Sequence, residues 1–328
     1  MELGPIKTLF LPQKGDEEPW LSDVVEALAD SAELVVLDAT RELGPQFEGV
    51  RVVIDQGGHA SRPMIDAGAT AGVELWQVLG TGLDHTDVDY ILGKGIGLAN
   101  TPGPFSAVAL AEHALFLMLA LAKNFSAAAR NLRTGRMYAP LASELAGRTL
   151  GLVGLGASAR ELGARARALE MRIIGVDVVE PPRDVTAALG IAWVGSPSDL
   201  PRLMRESDYV SIHVPLTRET FHMIDAGLLA LLQPSAVLVN VSRGAIVDED
   251  ALVESLREGR IRGAGIDVFS TEPPAADHPF LLLDNVIATP HIAGVTDGTS
   301  KRRGGACAEN VRRVAANLPP LHQVTGAE

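Results

Sequence analysis

A single cysteine, Cys307, is the first constraint that this 328-residue chain sets. One thiol cannot close an internal disulfide or build a thiolate metal cluster, which fits a reducing compartment. Positive charge is in deficit too: 28 Lys and Arg stand against 41 Asp and Glu, a formal net charge of −13. Binding to nucleic acid rests on neutralising phosphates, so this balance argues against a polyanionic partner, while a local basic patch for a small anion stays open. Long apolar runs are missing. The longest, ALFLMLALA over residues 114–122, has nine residues, far short of the roughly 20 that a membrane-crossing helix needs. No membrane association is expected. The start, MELGPIKTLFLPQ, has neither a long apolar core nor a small-residue cleavage site, so no signal peptide is read there and a cytoplasmic chain is expected. No histidine pair falls at HxxxH spacing, and no metal is expected. Internal repeats and low-complexity tracts are absent as well.

What is present reads as a folded enzyme-sized chain. With 47% hydrophobic and 21% charged residues it is too apolar for disorder, and its length suggests two domains. Short β-like runs alternate with helical stretches: IKTLFLP, WLSDVVEALADSA, ELVVLD, RVVID, ELWQVLG and IGLAN. That alternation is the sign of βαβ units and a parallel sheet covered by helices on both faces. It breaks at NTPGPFS (100–106). A long helix is predicted over 107–135, and the alternation restarts at RTLGLVG (148–154) and runs to HIAG (291–294). The segment from about Thr296 to Leu318 reads as a helix with no new strand, returning to the first domain.

The restart carries a dinucleotide fingerprint. Strand-like TLGLVG runs into Gly154-Leu155-Gly156-Ala157-Ser158-Ala159, then a helix, then RIIGVD ending in Asp177, 21 residues after Gly156. Gly154 permits the tight turn, Gly156 lets backbone approach a pyrophosphate, and Ala159 at the third position is small enough for the helix to pack on its strand. The helix N-terminus offers N–H groups to phosphates. Asp177 would accept hydrogen bonds from ribose hydroxyls and repel a 2′-phosphate, so NAD is expected over NADP, although Arg183 six residues on leaves some room for NADP.

Three further residues, Arg243, Glu272 and His291, each follow a short apolar run: AVLVNVS, GAGIDVF and DNVIATP. A cation, a carboxylate and an imidazole brought together can grip an α-keto acid and move a proton on its carbonyl oxygen. Arginine presents a planar fork suited to a carboxylate. An imidazole, which titrates near about 6.5 when unperturbed, serves as acid in one direction and base in the other.

At this point the chain resembles the D-isomer-specific 2-hydroxyacid dehydrogenase family, which includes phosphoglycerate dehydrogenases and glyoxylate/hydroxypyruvate reductases. The matching segments are Asn100-Thr101-Pro102-Gly103, Ala111-Glu112-His113, Gly154-Leu155-Gly156, His213-Val214-Pro215-Leu216-Thr217, Asn240-Val241-Ser242-Arg243-Gly244, Gly265-Ile266-Asp267-Val268-Phe269 and Pro290-His291-Ile292-Ala293-Gly294. The resemblance implies an α/β fold: a Rossmann-type doubly wound parallel sheet over 100–296 that binds NAD, and a discontinuous flavodoxin-like substrate-binding domain over 1–99 plus 297–328. It implies that Arg243 holds the carboxylate and carbonyl of a small 2-keto or 2-hydroxy acid of D configuration. His291 is then the acid/base, and Glu272 hydrogen-bonds it. Backbone amides of Gly80, Thr81 and Gly82 would bind the substrate carboxylate. Cofactor contacts are implied at Gly154, Gly156, Ala157, Ser158, Asp177, His213, Val214, Pro215, Val241, Ser242, Asp267, His291 and Gly294. Among these, Asp267 is expected near the nicotinamide carboxamide and His213 is expected to shape the loop. A homodimer through about 102–146 is implied; His113 is read as packing or a dimer contact, and His59, His85 and His222 as ordinary.

The chain also departs from the family. Val53–His59 stands where many relatives carry an Arg-Ser-rich loop, which weakens a phosphorylated substrate, with Arg62 as a possible substitute. No regulatory domain like that of the longer phosphoglycerate dehydrogenases is expected, and Glu272 stands where formate dehydrogenases use glutamine. The rival reading is a non-catalytic, NAD-sensing protein like the corepressors of this superfamily, which retain the same trio.

Overall fold

The computed structural model describes residues 5–13 and 18–326, except for the side chain of Asp30. The first residues of the segment read for a signal peptide lie outside these. The chain divides into two compact units, Met1–Ser106 with Thr296–Glu328, and Ala107–Val295.

In the first unit, strands β1 (Ile6–Leu11), β2 (Ala32–Val36), β3 (Val52–Gln56), β4 (Leu75–Leu79) and β5 (Gly97–Ala99) pair in parallel in the order β5-β4-β3-β1-β2. This is the 2-1-3-4-5 order of the flavodoxin-like fold. The chain returns through the Asp297–Ala315 helix, and Gln323–Val324 then adds a short antiparallel strand on β5. That strand was not foreseen, because two residues are too few to show a period. Alternate residues of β3 enter different apolar layers, Val52 and Ile54 one and Val53 the other. The sheet is therefore buried on both faces, as a parallel sheet requires.

The second unit holds seven parallel strands: β6 (Thr149–Val153), β7 (Arg172–Val176), β8 (Ile191–Gly195), β9 (Tyr209–Ile212), β10 (Val237–Asn240), β11 (Gly263–Ile266) and β12 (Val286–Ala288). Their order, β12-β11-β10-β9-β6-β7-β8, reverses between β6 and β9, which makes that boundary the ligand-binding switch point of a Rossmann sheet. Leu238 joins one apolar layer while Val237 and Val239 join the other. The expected α/β class with two parallel sheets is what the chain adopts.

The long helix predicted over 107–135 is two helices, Ala107–Ala122 and Phe125–Arg133, bent by 53°. Asn124 causes the break: it sits at φ 50°, and its Nδ2 donates to the Leu141 carbonyl at 2.7 Å. Asparagine tolerates this left-handed conformation better than most residues. The first helix is apolar nearly all round and buries nine residues, as a helix inside a core does. Among the described residues, no single helix is long and apolar enough to cross a membrane.

Candidate active site

Every candidate residue of the second unit lies past the carboxyl end of a strand in one sheet. The fingerprint follows β6, Asp177 follows β7, and His213 to Pro215 follow β9. Val241 to Arg243 follow β10, Asp267 and Glu272 follow β11, and His291 to Gly294 follow β12. Side chains as far apart in sequence as 154 and 291 thus share one rim, where open α/β sheets bind ligands.

The fingerprint turn is built for close backbone approach. Gly154 has φ +90°, and a Cβ there would lie 2.8 Å from the His213 carbonyl oxygen and 2.8 Å from Val214 Cγ1. Only glycine fits. A Cβ on Gly156 would meet nothing within 4 Å, so its outer side is open to a ligand. The Ala157–Ala168 helix begins there, with Ala159 fully buried. Asp177 fastens the turn: its Oδ2 accepts the Leu155 N–H at 2.6 Å and its Oδ1 the Val179 N–H at 3.0 Å. These residues fit the pyrophosphate and ribose of a dinucleotide. His213 is held between Ser158 Oγ (3.0 Å, Nδ1) and Ser211 Oγ (2.9 Å, Nε2), and burial pushes its pKa down to about 4. It is a neutral strut of the loop. Ser242 Oγ donates to the Val214 carbonyl and ties the loops after β9 and β10 together.

The structure brings Arg243, Glu272 and His291 together. His291 Nδ1 lies 2.7 Å from Glu272 Oε2, with the two side chains 42% and 33% exposed, so the pair faces open space. A carboxylate only accepts, so Nδ1 carries the proton and Nε2 is the edge left for a ligand. Burial works against ionisation of Glu272. The hydrogen bonds from His291 and from the Phe269 N–H (2.9 Å), together with the Arg243 charge, outweigh it and hold the carboxyl below its usual range. The Arg243 strap is fixed by Asn240, whose Nδ2 donates to the Arg243 carbonyl at 2.8 Å and whose Oδ1 accepts the Ser242 N–H at 3.1 Å. Sequence reasoning quoted Asn240 within a matching segment and gave it no role. The signal was a polar residue ending an otherwise apolar strand.

Asp267, expected near a nicotinamide carboxamide, organises the loop that carries His291. It is 0% exposed, and its oxygens accept the Ile292 N–H (2.9 Å), the Ala293 N–H (2.8 Å) and the Thr289 hydroxyl (2.6 Å). Its backbone carbonyl accepts the His291 N–H at 2.7 Å. The carboxylate is directed into the loop and not toward solvent. His291 sits there at φ 54°, a conformation that persists in a non-glycine residue only where its surroundings over-determine it.

In the first unit, the Gly80–Gly82 loop is anchored by its neighbour. The Gly80 carbonyl accepts the Thr101 N–H (3.0 Å) and hydroxyl (3.1 Å), and the Thr81 carbonyl accepts Asn100 Nδ2 (2.9 Å). At the end of β3, Asp55 and Gln56 turn inward, 2% and 4% exposed. Asp55 accepts from Trp76 Nε1 (3.0 Å), Ala60 N–H (3.2 Å) and His59 N–H (3.2 Å); burial nonetheless pushes its carboxyl up to about 6. Arg62, the possible substitute cation, pairs with Asp87 at 2.8 Å and covers the Tyr90 ring at 4.6 Å. Both partners belong to the Val88–Gly93 helix and its cap, and the Arg62 side chain stays 66% exposed. His59 and His85, read as ordinary, stack at 4.7 Å. Among the described residues, no group of three His, Cys, Asp or Glu side chains is placed to hold a metal ion.

Residues 115–293 match the family model described as D-isomer specific 2-hydroxyacid dehydrogenase, NAD binding domain. The chain belongs to that family. A D-3-phosphoglycerate dehydrogenase of Methanocaldococcus jannaschii is 39% identical over 254 residues, 74% of this chain and 47% of the relative. A hydroxypyruvate reductase of Thermotoga maritima is 41% identical over 236 residues, 71% of this chain and 74% of the relative. This dehydrogenase-family chain thus spans about half the length of the first of these relatives and about three quarters of the second. Among solved structures, an acyclic imino acid reductase in complex with NADPH and D-Arg superposes with TM-score 0.82 at 26% identity, covering 98% of this chain and all of that one.

Proposed function

We propose that the chain is an NAD-dependent D-2-hydroxyacid dehydrogenase that acts on a small 2-keto or 2-hydroxy acid. The observation that carries this reading is the 2.7 Å His291–Glu272 pair beside Arg243, on the strand rim that also bears the dinucleotide fingerprint. The second unit would hold the cofactor through the Gly154–Ser158 turn, Asp177, the His213–Pro215 and Val241–Ser242 loops and Gly294. The first unit would meet the substrate carboxylate with the Gly80–Gly82 loop.

Bound nicotinamide supplies or accepts the hydride at C2; proton handling and positioning are left to the side chains. Arg243 offers a permanent, planar cation to the carboxylate and carbonyl oxygen. His291 Nε2 donates a proton to the carbonyl oxygen during reduction and takes it back during oxidation. Glu272, ionised because its carboxyl lies below the usual range, keeps the proton on Nδ1 and fixes the ring. Asp55 and Gln56 turn inward and Arg62 is paired with Asp87, so this segment presents no unpaired cation to a phosphorylated tail, which favours a small, uncharged one.

The test follows NADH and NADPH absorbance with glyoxylate, hydroxypyruvate, pyruvate, longer 2-keto acids and 3-phosphohydroxypyruvate. Turnover is expected with an unphosphorylated acid, and with NADH preferred. NADH binding without turnover of any acid would overturn the enzyme in favour of a non-catalytic NAD sensor. Comparable efficiency with NADPH would remove Asp177 as selector.

The chain is further proposed to pair as a homodimer through about 102–146. That segment exposes Phe116, Phe125, Leu132, Met137, Tyr138 and Leu141, the last at 92%. An apolar patch of this extent is characteristic of an interaction surface, and a two-fold dimer is its simplest closed solution. Sedimentation equilibrium is expected to return twice the chain mass at micromolar concentration; a monomer there would exclude the pairing.

A further inference from the structure

His113 is a polar residue on the apolar Ala107–Ala122 helix, yet its imidazole reaches the loop that carries His291. Nε2 lies 2.9 Å from Thr289 Oγ1 and 3.4 Å from Asp267 Oδ1, and the side chain is 14% exposed. Proton counting fixes the direction of each bond. Asp267 receives two backbone N–H groups from Ile292 and Ala293. The Thr289 hydroxyl has one proton, which goes to Asp267 Oδ1 at 2.6 Å. Thr289 Oγ1 can then only accept from His113, so Nε2 is the protonated nitrogen. Burial lowers the affinity of His113 for a second proton, against the pull of Asp267. The imidazole is thus a neutral donor at the head of a relay that runs through Thr289 and Asp267 to the backbone of residues 291–293. An apolar side chain would fill the same place on this helix without the cost of burying a polar ring.

We propose that His113 is a positioning residue for His291. Its Nε2–H, acting through Thr289 and Asp267, keeps the 289–293 loop in the conformation that aims the imidazole, including the left-handed φ at His291. This rests on the reading of His291 as the acid/base. The device parallels the outer partners that orient metal-binding histidines, whose removal costs roughly 10–100-fold.

The test uses three variants and two readouts. His113→Leu removes the donor. His113→Gln puts an amide N–H near the Nε2 position. Thr289→Val breaks the relay with little change of shape. His113→Leu and Thr289→Val are expected to lower kcat by about 10–100-fold with KM for the 2-keto acid nearly unchanged, while His113→Gln recovers most of the loss. Hydrogen exchange in the protein without substrate is expected to show faster Ile292 and Ala293 amides in the Leu and Val variants, and protected ones in the Gln variant. If His113→Leu fails to fold, Thr289→Val decides. Unchanged kcat or unchanged amide protection in Thr289→Val, or a Gln variant as impaired as the Leu variant, would overturn the proposal. The exchange readout needs no turnover, so it still reads the relay if no 2-keto acid is reduced, an outcome that counts against the dehydrogenase reading alone.

Discussion

His291→Asn is expected to lower kcat by about two to four orders of magnitude, the usual share of a general acid–base, while leaving the fold intact. Asparagine is the informative replacement for two reasons. Residue 291 sits at φ 54°, and asparagine adopts that conformation more readily than other side chains. Its amide also carries a donor near the Nδ1 position, so the bond now made to Glu272 at 2.7 Å has a replacement. Only the Nε2 edge is deleted. The loss therefore reports proton transfer and not collapse of the loop. KM for the 2-keto acid is expected to move little, because Arg243 lies on a separate strap held by Asn240. Steady-state kinetics with the best substrate of the screen, alongside thermal melting, makes the measurement. A variant that retains parental kcat would remove His291 from the chemistry.

Gly244→Ala is expected to be the most damaging single methyl group in the second unit. A Cβ at Gly244 would stand 2.0 Å from the Phe269 carbonyl carbon and 2.3 Å from both its oxygen and the Ser270 nitrogen. These are backbone atoms with nowhere to turn. Phe269 is 7% exposed, its N–H is donated to Glu272 Oε1 at 2.9 Å, and the Ser270 N–H is donated to Glu249 Oε1 at 2.7 Å. The strap that ends in Arg243 therefore lies directly on the strap that leads to Glu272, and a methyl group must push the two apart. The expected cost is about 4 kcal/mol or more, in the range reserved for steric disruption of a core. That corresponds to a fall in Tm of about 10 °C. Whatever folded protein remains should have lost the Arg243–Glu272 juxtaposition and with it most activity. A melting temperature within about 2 °C of the parent would show that the straps separate freely.

Much of the site was legible in sequence because its parts are local. Glycine at 154 and 156, a small residue at 159 and an acid at 177 are consequences of one strand–turn–helix–strand path. Arg243, Glu272 and His291 announced themselves by following strands, since residues past strand ends form the rim of a parallel sheet. The break at Asn124 was not legible: AVALAEHALFLMLALAKNFSAAARNLRTG reads as one apolar helix, and the bend depends on a bond from Asn124 to Leu141. Asp267 was legible as important, but its inward hydrogen bonds were not, because sequence places a side chain at a strand end without saying which way it turns.

The chain's own order of residues determined its class: two parallel α/β sheets, a dinucleotide turn, and a cation, a carboxylate and an imidazole on the same rim. Tertiary structure alone decided how those groups are held. His113 and Thr289 are 176 positions apart, and Gly244 must be glycine only because Phe269 and Ser270 lie against it. Periodicity and turn chemistry are written in consecutive residues, so they can be read along the chain. Which oxygen a buried proton meets is set by how a helix packs on a sheet, and that exists only once the chain has folded.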